Sequence, residues 1–265
     1  MPDAIFANPR LAAVYDALDP DRSDLDAYAA MAAEFGARAV LDVGCGTGTL
    51  ACLLAGRGLE VTGVDPAAAS LAVARAKPGG GAVRWLHGDA TSLPALQVDL
   101  ATMTGNVAQV FTTDDAWAAT LRGVHAALRP GGRLVFETRD PARQAWLGWT
   151  REQTWTRIAI PGVGPVRRWA ELTGISGAQV SFRTFTVFEA DGAVLTSDST
   201  LRFRERDEVA ASLAATGYRL DEIRDAPDRP GLEFVFVAHR ERRGSPGPVV
   251  RTRAPAGPPS AQGTV

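Results

Sequence analysis

The chain has 265 residues, 46% of them hydrophobic and 22% charged, enough to bury a substantial core in one elaborated domain, predicted over residues 1–240. Its 28 Lys+Arg against 30 Asp+Glu leave a formal net charge of -2, which argues against a protein that works through a broad basic surface on a polyanion. Two cysteines, Cys45 and Cys52, exclude a disulfide framework and lack paired zinc spacing, so no metal is expected. The opening MPDAIFANPR has no apolar run behind a basic start, and no apolar stretch approaches the roughly 18 residues a membrane helix needs, so a soluble cytoplasmic protein without a membrane partner is predicted.

In chain order, the first predicted elements are two helices, roughly Leu11 to Leu18 and Asp24 to Phe35, within an N-terminal helical lid over residues 1–37. Short apolar runs then alternate with amphipathic stretches. Strands are predicted at Ala39–Val43, Glu60–Val64, Ala82–Leu86, Val98–Met103 and Arg133–Thr138, with helices at Leu50–Ala55, Ala67–Ala76 and Asp114–Leu128 between them. The β-branched and Leu content of the strands, with little polar alternation, suits a parallel sheet covered on both faces. After Asp140-Pro141 the rhythm changes. Residues 145–203 hold four of the six tryptophans and several β-like runs, with Ala190-Asp191-Gly192-Ala193 reading as a hairpin turn, so an antiparallel β insert is predicted. A helix at Asp207–Ala215 and runs at Tyr218–Arg224 and Leu232–His239 would close the main sheet with an antiparallel hairpin. From residue 241 to 265 the chain is dense in Pro, Gly, Arg and Ser and is expected to be a flexible tail.

The chemistry-bearing segment is Val40-Leu41-Asp42-Val43-Gly44-Cys45-Gly46-Thr47-Gly48, where glycines let backbone approach a ligand at a strand-to-helix turn. The GxGxG spacing departs from a dinucleotide fingerprint. Asp42 would repel a diphosphate yet attract an ammonium or sulfonium group, which disfavours a nicotinamide oxidoreductase. The next strand ends in Asp65-Pro66, whose carboxylate suits the two hydroxyls of a ribose. The third strand leads to Asp89-Ala90, where an adenine amine would find an acceptor. Three acidic residues at successive strand ends share the carboxyl edge, where open α/β sheets bind ligands.

The ordered motifs VLDVGCGTG, VTGVDP, HGDA, VDLATMTGNVAQVF and LRPGGRLVFET resemble those of the class I S-adenosylmethionine-dependent methyltransferases over about residues 38–140. That resemblance implies a doubly wound, mostly parallel seven-stranded sheet of Rossmann-like kind, here with the insert after the fifth strand. It implies S-adenosylmethionine as cofactor, with Asp42, Gly44, Cys45 and Gly46 at its methionine portion and Asp65 and Pro66 at the ribose. Asp89 and Ala90 would meet the adenine, and Met103 and Thr104 would lie near the sulfur. Tyr15, in Val14-Tyr15-Asp16, is similar to a tyrosine that closes over the donor in small-molecule members, and Tyr28 is a second lid candidate.

Methyl transfer from a sulfonium is an in-line displacement in which positioning can supply most of the catalysis, so no catalytic base is assigned. Candidates for contact with a small-molecule acceptor are Tyr28, Asn106, Arg139, Trp146 and Trp149. Asn106 would orient an acceptor and Arg139 would anchor a carboxylate or phosphate. The tryptophan-rich insert reads as a lid over an acceptor, as a homodimer surface or as a layer packing its own aromatics. Thr104-Gly105-Asn106-Val107 replaces the Asn/Asp-Pro-Pro-aromatic motif of DNA adenine methylation, so DNA is not expected, and RNA is disfavoured by the acidic balance. The competing reading is an S-adenosylmethionine-binding protein without transfer, acting as a regulator or as a cyclisation scaffold.

Overall fold

The computed structural model describes residues 1–226 and 228–241, so the predicted tail lies, but for its first residue, outside the described residues. Three N-terminal helices, α1 (Ala4–Ala7), α2 (Pro9–Leu18) and α3 (Asp24–Glu34), precede an alternating series: β1 (Ala39–Val43), α4 (Thr49–Gly56), β2 (Glu60–Asp65), α5 (Ala68–Ala76), β3 (Arg84–His87), β4 (Val98–Met103), α6 (Asp114–Ala127) and β5 (Leu128–Arg139). The insert carries α7 (Arg151–Thr154) and strands β6 (Thr156–Ile160), β7 (Gly164–Ser176), β8 (Gln179–Phe188) and β9 (Ala193–Arg202). Then α8 (Arg206–Ala215) leads to β10 (Tyr218–Asp225) and β11 (Glu233–Arg240). Seven strands form one sheet in the order β10-β11-β5-β4-β1-β2-β3, parallel except where β11 pairs antiparallel with β5 and β10, and β6 to β9 form a second, antiparallel sheet. This is a Rossmann-like doubly wound architecture.

Strand alternation sorts the core into two layers. Leu41, Ala101, Phe136 and Phe236 pack on one face with Trp117, Leu121 and Val124 of α6 and Leu213 of α8. Val40, Leu100, Val135 and Val235 pack on the other with Leu25 and Tyr28 of α3 and Leu50 and Leu54 of α4. A third cluster joins Leu11 and Val14 of α2 to Ile160, Val166 and Phe188 of the insert, so α2 lies between the second sheet and the glycine turn. The N-cap of α2 is Asn8, whose side chain accepts from the Arg10 and Leu11 amides, with Pro9 at the first helical position.

Some boundaries differ from expectation: β3, expected at Ala82–Leu86, runs Arg84–His87. β5 begins at Leu128 and carries Pro130-Gly131-Gly132 within it, because α6 runs straight into the strand and Leu128 already pairs with Val98. β7 runs to Ser176, and the chain reverses at Gly177, whose φ of 59° supplies the turn into β8. No helix among the described residues is long and apolar enough to cross a membrane.

Candidate functional site

A cavity of about 430 Å³ opens at the carboxyl ends of β1, β2 and β4 and beside the turn after β3. Its wall includes Asp42, Gly44, Cys45, Gly46, Asp65, Pro66, Asp89, Ala90, Thr104 and Tyr15, so every residue expected at the donor except Met103 lines one space. Met103 is fully buried in the α6 layer. The period of two along β4 explains this: Thr102 and Thr104 point to one face and Met103 to the other.

The turn from β1 to α4 takes positive φ at Gly44 (68°), Gly46 (53°) and Gly48 (78°), a path that side chains on these residues would oppose. The Gly46 amide donates to Asp65 Oδ2 at 2.8 Å and the Ala67 amide to Oδ1 at 2.7 Å, so the carboxylate at the end of β2 also braces the glycine turn. Each oxygen keeps one acceptor site, which suits a pair of adjacent hydroxyls. Asp42 is only 2% exposed, and its Oδ1 accepts from Thr102 Oγ1 at 2.9 Å. No other protein donor reaches this carboxylate among the described residues. Burial pushes the Asp42 carboxyl up to about 7, with Asp65 adding to the rise and Thr102 opposing it. A carboxylate so poorly satisfied at a cavity floor fits a cationic or N–H-bearing ligand group. Burial likewise raises Asp65, against the pull of the Ala67 and Gly46 amides. The Cys45 thiol is pushed up by burial and by Asp42, which leaves it protonated and unreactive.

Helix α2 is tied to this turn by residues outside the expected set. Asp16 accepts from Thr47 Oγ1 at 2.6 Å and pairs with Lys77 Nζ at 2.7 Å, while Lys77 also donates to Thr49 Oγ1 at 2.7 Å. The Tyr15-Asp16 pair is thus divided: Asp16 anchors the helix and Tyr15 lines the cavity. Tyr15 packs on Phe6 at 5.6 Å between centroids, and burial raises its phenol while Arg168 and Arg22 oppose the rise. Arg22 lines the cavity and is chelated by Asp24 at 3.1 and 3.3 Å. Only its position after the helix carrying Tyr15 could have signalled it in the sequence. Phe6 and Thr200 are further wall residues that no local motif marks, and Val107 and Phe111, within the VDLATMTGNVAQVF motif, line the wall as well.

The acceptor candidates fall elsewhere than expected. Tyr28 is buried against β1 and α4 in the core, because α3 turns that face inward. Asn106 is 3% exposed and turns its amide into the protein, donating to Glu233 at 3.4 and 3.3 Å. Arg139 donates to Gln109 Oε1 at 3.0 Å and lies 3.7 Å from Glu233, so its charge is met internally. Trp149 packs on Phe182 at 4.6 Å, with Arg139 5.8 Å from its ring, and Trp146 packs edge-on to Phe203 at 4.6 Å. Neither tryptophan lines the cavity. Trp169 stacks on Phe185 at 5.0 Å with Arg151 above it, so these three insert aromatics pack within their own layer.

The family model described as a methyltransferase domain matches residues 40–132. A ubiquinone/menaquinone biosynthesis C-methyltransferase from Rubrivivax gelatinosus is 36% identical over 118 residues, 43% of this chain and 45% of the relative. A cypemycin N-terminal methyltransferase from Streptomyces is 35% identical over 106 residues, 40% of this chain and 43% of the relative. The matches thus span a little under half the length of these curated relatives. Among solved structures, an S-adenosylmethionine-bound amino pentose methyltransferase from Micromonospora echinaspora shares 25% identity at a TM-score of 0.64, covering 86% of this chain and 96% of its own. A sugar N-methyltransferase from Streptoalloteichus shares the fold at a TM-score of 0.70 and 22% identity, over 86% of this chain and 93% of its own.

Proposed function

We infer that this chain, whose residues 40–132 match a methyltransferase-domain family model, is an S-adenosylmethionine-dependent methyltransferase that transfers the donor's methyl group to nitrogen or oxygen of a polar small molecule. The observation that carries this reading is the meeting of Asp42, Asp65 and Asp89, from three adjacent strand ends, with the Gly44–Gly46 turn in one cavity. S-adenosylmethionine supplies an activated methyl on a sulfonium. Asp42 and the glycine turn would hold its methionine end, Asp65 the ribose and Asp89 with Ala90 the adenine. Tyr15, carried by α2, would cover the reacting centre and exclude water.

An amine acceptor is favoured over an alcohol. The described residues that line the cavity include no histidine, and an amine reacts from its neutral form once it is aligned with the carbon-sulfur bond. The insert-sheet face that packs Val166 and Phe188 on α2 is mixed: it also buries Thr184, Thr186, Ser197 and Ser199, and Ser197 Oγ accepts from the Ile5 amide at 2.9 Å. A hydroxylated amine is in keeping with the amino pentose and sugar N-methyltransferases that share the fold. The test is incubation with methyl-labelled S-adenosylmethionine and paired panels of amino sugars and their deaminated analogues. Label in the amines alone is expected. Donor binding without labelled product across both panels would favour a binding protein that transfers nothing.

A further inference from the structure

A buried polar cluster beside the cavity wall has no part in the reading above. Glu137, near the end of β5, is 8% exposed, and its Oε1 accepts from the Gly105 amide at 2.7 Å and the Asn106 amide at 3.0 Å. Glu233, the first residue of β11, is 4% exposed and holds the Asn106 side chain and Arg229, the latter at 2.7 Å. Gly105 and Asn106 both have positive φ, 72° and 61°. Glycine and asparagine are residue types that accept this left-handed conformation, so the turn can present both amides to one side. Two successive amides converging on one carboxylate oxygen form a nest, and a buried carboxylate needs donors of this kind. The turn and Glu137 therefore stabilise each other. Thr104 and Gly105, on the same turn, form part of the cavity wall.

We propose that Glu137 is a positioning residue for the reaction, its carboxylate clamping the Gly105 and Asn106 amides so that the Thr104–Gly105 wall keeps its shape against the bound reactants. The catalytic consequence rests on the methyl-transfer reading; the clamp itself does not. The groups that face Glu137 are Glu233 from β11, Arg229 from the turn before β11, and Arg139 from its own strand. Burial, with Glu233 adding to it, pushes the Glu137 carboxyl up to about 7. Its ionised form is the stronger acceptor, so the clamp is tight above that pH and loosens as pH falls through it.

The test is amide hydrogen exchange of the intact chain across residues 104–111 between pH 6 and 8.5, corrected for intrinsic rates, in the wild type and Glu137→Gln. S-adenosylhomocysteine affinity and kcat are followed in parallel. In the wild type, protection of this segment is expected to step upward near pH 7. In Glu137→Gln the step disappears and exchange at pH 8 is about tenfold faster, the loss expected when a charged acceptor becomes neutral. The variant's kcat falls by a similar factor while the KM for the donor changes little. Absence of the step in the wild type, or its persistence in Glu137→Gln, overturns the proposal. The wild-type measurement decides the matter even if the variant folds poorly. If S-adenosylhomocysteine fails to bind the wild type, the methyl-transfer reading fails while the exchange result still judges the clamp.

Discussion

Asp42 and Thr102 face each other across the β1–β4 ladder, and the Thr102 hydroxyl donates to Asp42 Oδ1 at 2.9 Å beneath the cavity floor. Because this is the protein donor that satisfies a buried carboxylate, Thr102→Val should destabilise the chain by about 1–3 kcal/mol, the cost of orphaning such a group. It should also raise the Asp42 pKa further. Urea unfolding measures the first effect, and the pH dependence of S-adenosylhomocysteine binding the second; an unchanged midpoint in both would mean the bond contributes nothing.

Donor binding should depend on pH through Asp42. A cationic group beside the carboxylate favours its ionised form, so binding below about 7 must expel a proton, and affinity should climb as pH rises toward that value and level off above it. Calorimetry in buffers of different ionisation enthalpy will count the protons released at pH 6. Finding none would show that Asp42 is already ionised in the free protein or does not meet the ligand's charge.

Stability of the ligand-free chain should run the opposite way. Asp42 and Glu137 both have folded-state pKa values raised to about 7, above their ordinary values of 3.8 and 4.5. The folded state therefore holds more protons than the unfolded one between those limits. Stability contributed by these groups is fully present below the unfolded values and is lost as pH rises through the folded ones, at up to about 1.4 kcal/mol per pH unit for each group. Denaturant midpoints at pH 5, 6, 7 and 8 should fall along that series; a rising series would contradict the raised values.

Asp65→Asn keeps an oxygen for one of the two backbone amides but loses the charge and one acceptor. It should weaken S-adenosylhomocysteine binding by about 1–3 kcal/mol. Isothermal titration would reveal an unaltered Kd if Asp65 only braces the Gly46 turn and never touches the ligand.

Gly48→Ala tests the turn as structure. At φ 78° an added Cβ would run into the Trp85 ring and come within 2.9 Å of Ala74 Cβ. With strain and overpacking combined, thermal unfolding should reveal a loss of at least about 2 kcal/mol. Gly46→Ala, where an added Cβ meets nothing within 4 Å but φ is 53°, should cost less stability, so the pair separates crowding from backbone strain.

That the acidic residues of three strand ends meet in one cavity was legible because they follow one another along the chain. Asp42, Asp65 and Asp89 each sit at or just after a strand, and parallel strands joined by helices bring their carboxyl ends to one edge whatever the details of packing. Met103 was misplaced for a local reason, a strand's alternation, which neighbouring Thr102 and Thr104 make visible only once the buried face is known. Tyr28, Asn106 and Arg139 were misread for a different one. A polar residue at a loop or lid looks the same in sequence whether it faces a ligand or a buried partner, and Glu233, which lies near both Asn106 and Arg139, is more than ninety residues away from either.

The sequence by itself determined the doubly wound sheet, the glycine turn and the three acidic strand ends, because hydrophobic period, turn chemistry and motif order are local properties. Only the tertiary structure decided which polar side chains meet the cavity and which satisfy one another beneath it. Polar side chains are satisfied by distant partners: Asp16 by Thr47 and Lys77, Asn106 by Glu233, and Glu137 by two amides on a turn that its own residues do not specify. The Asp42–Gly48 turn was readable from its own residues, whereas the wall opposite it took its form from contacts between strands 5 and 11 and the loop after strand 4.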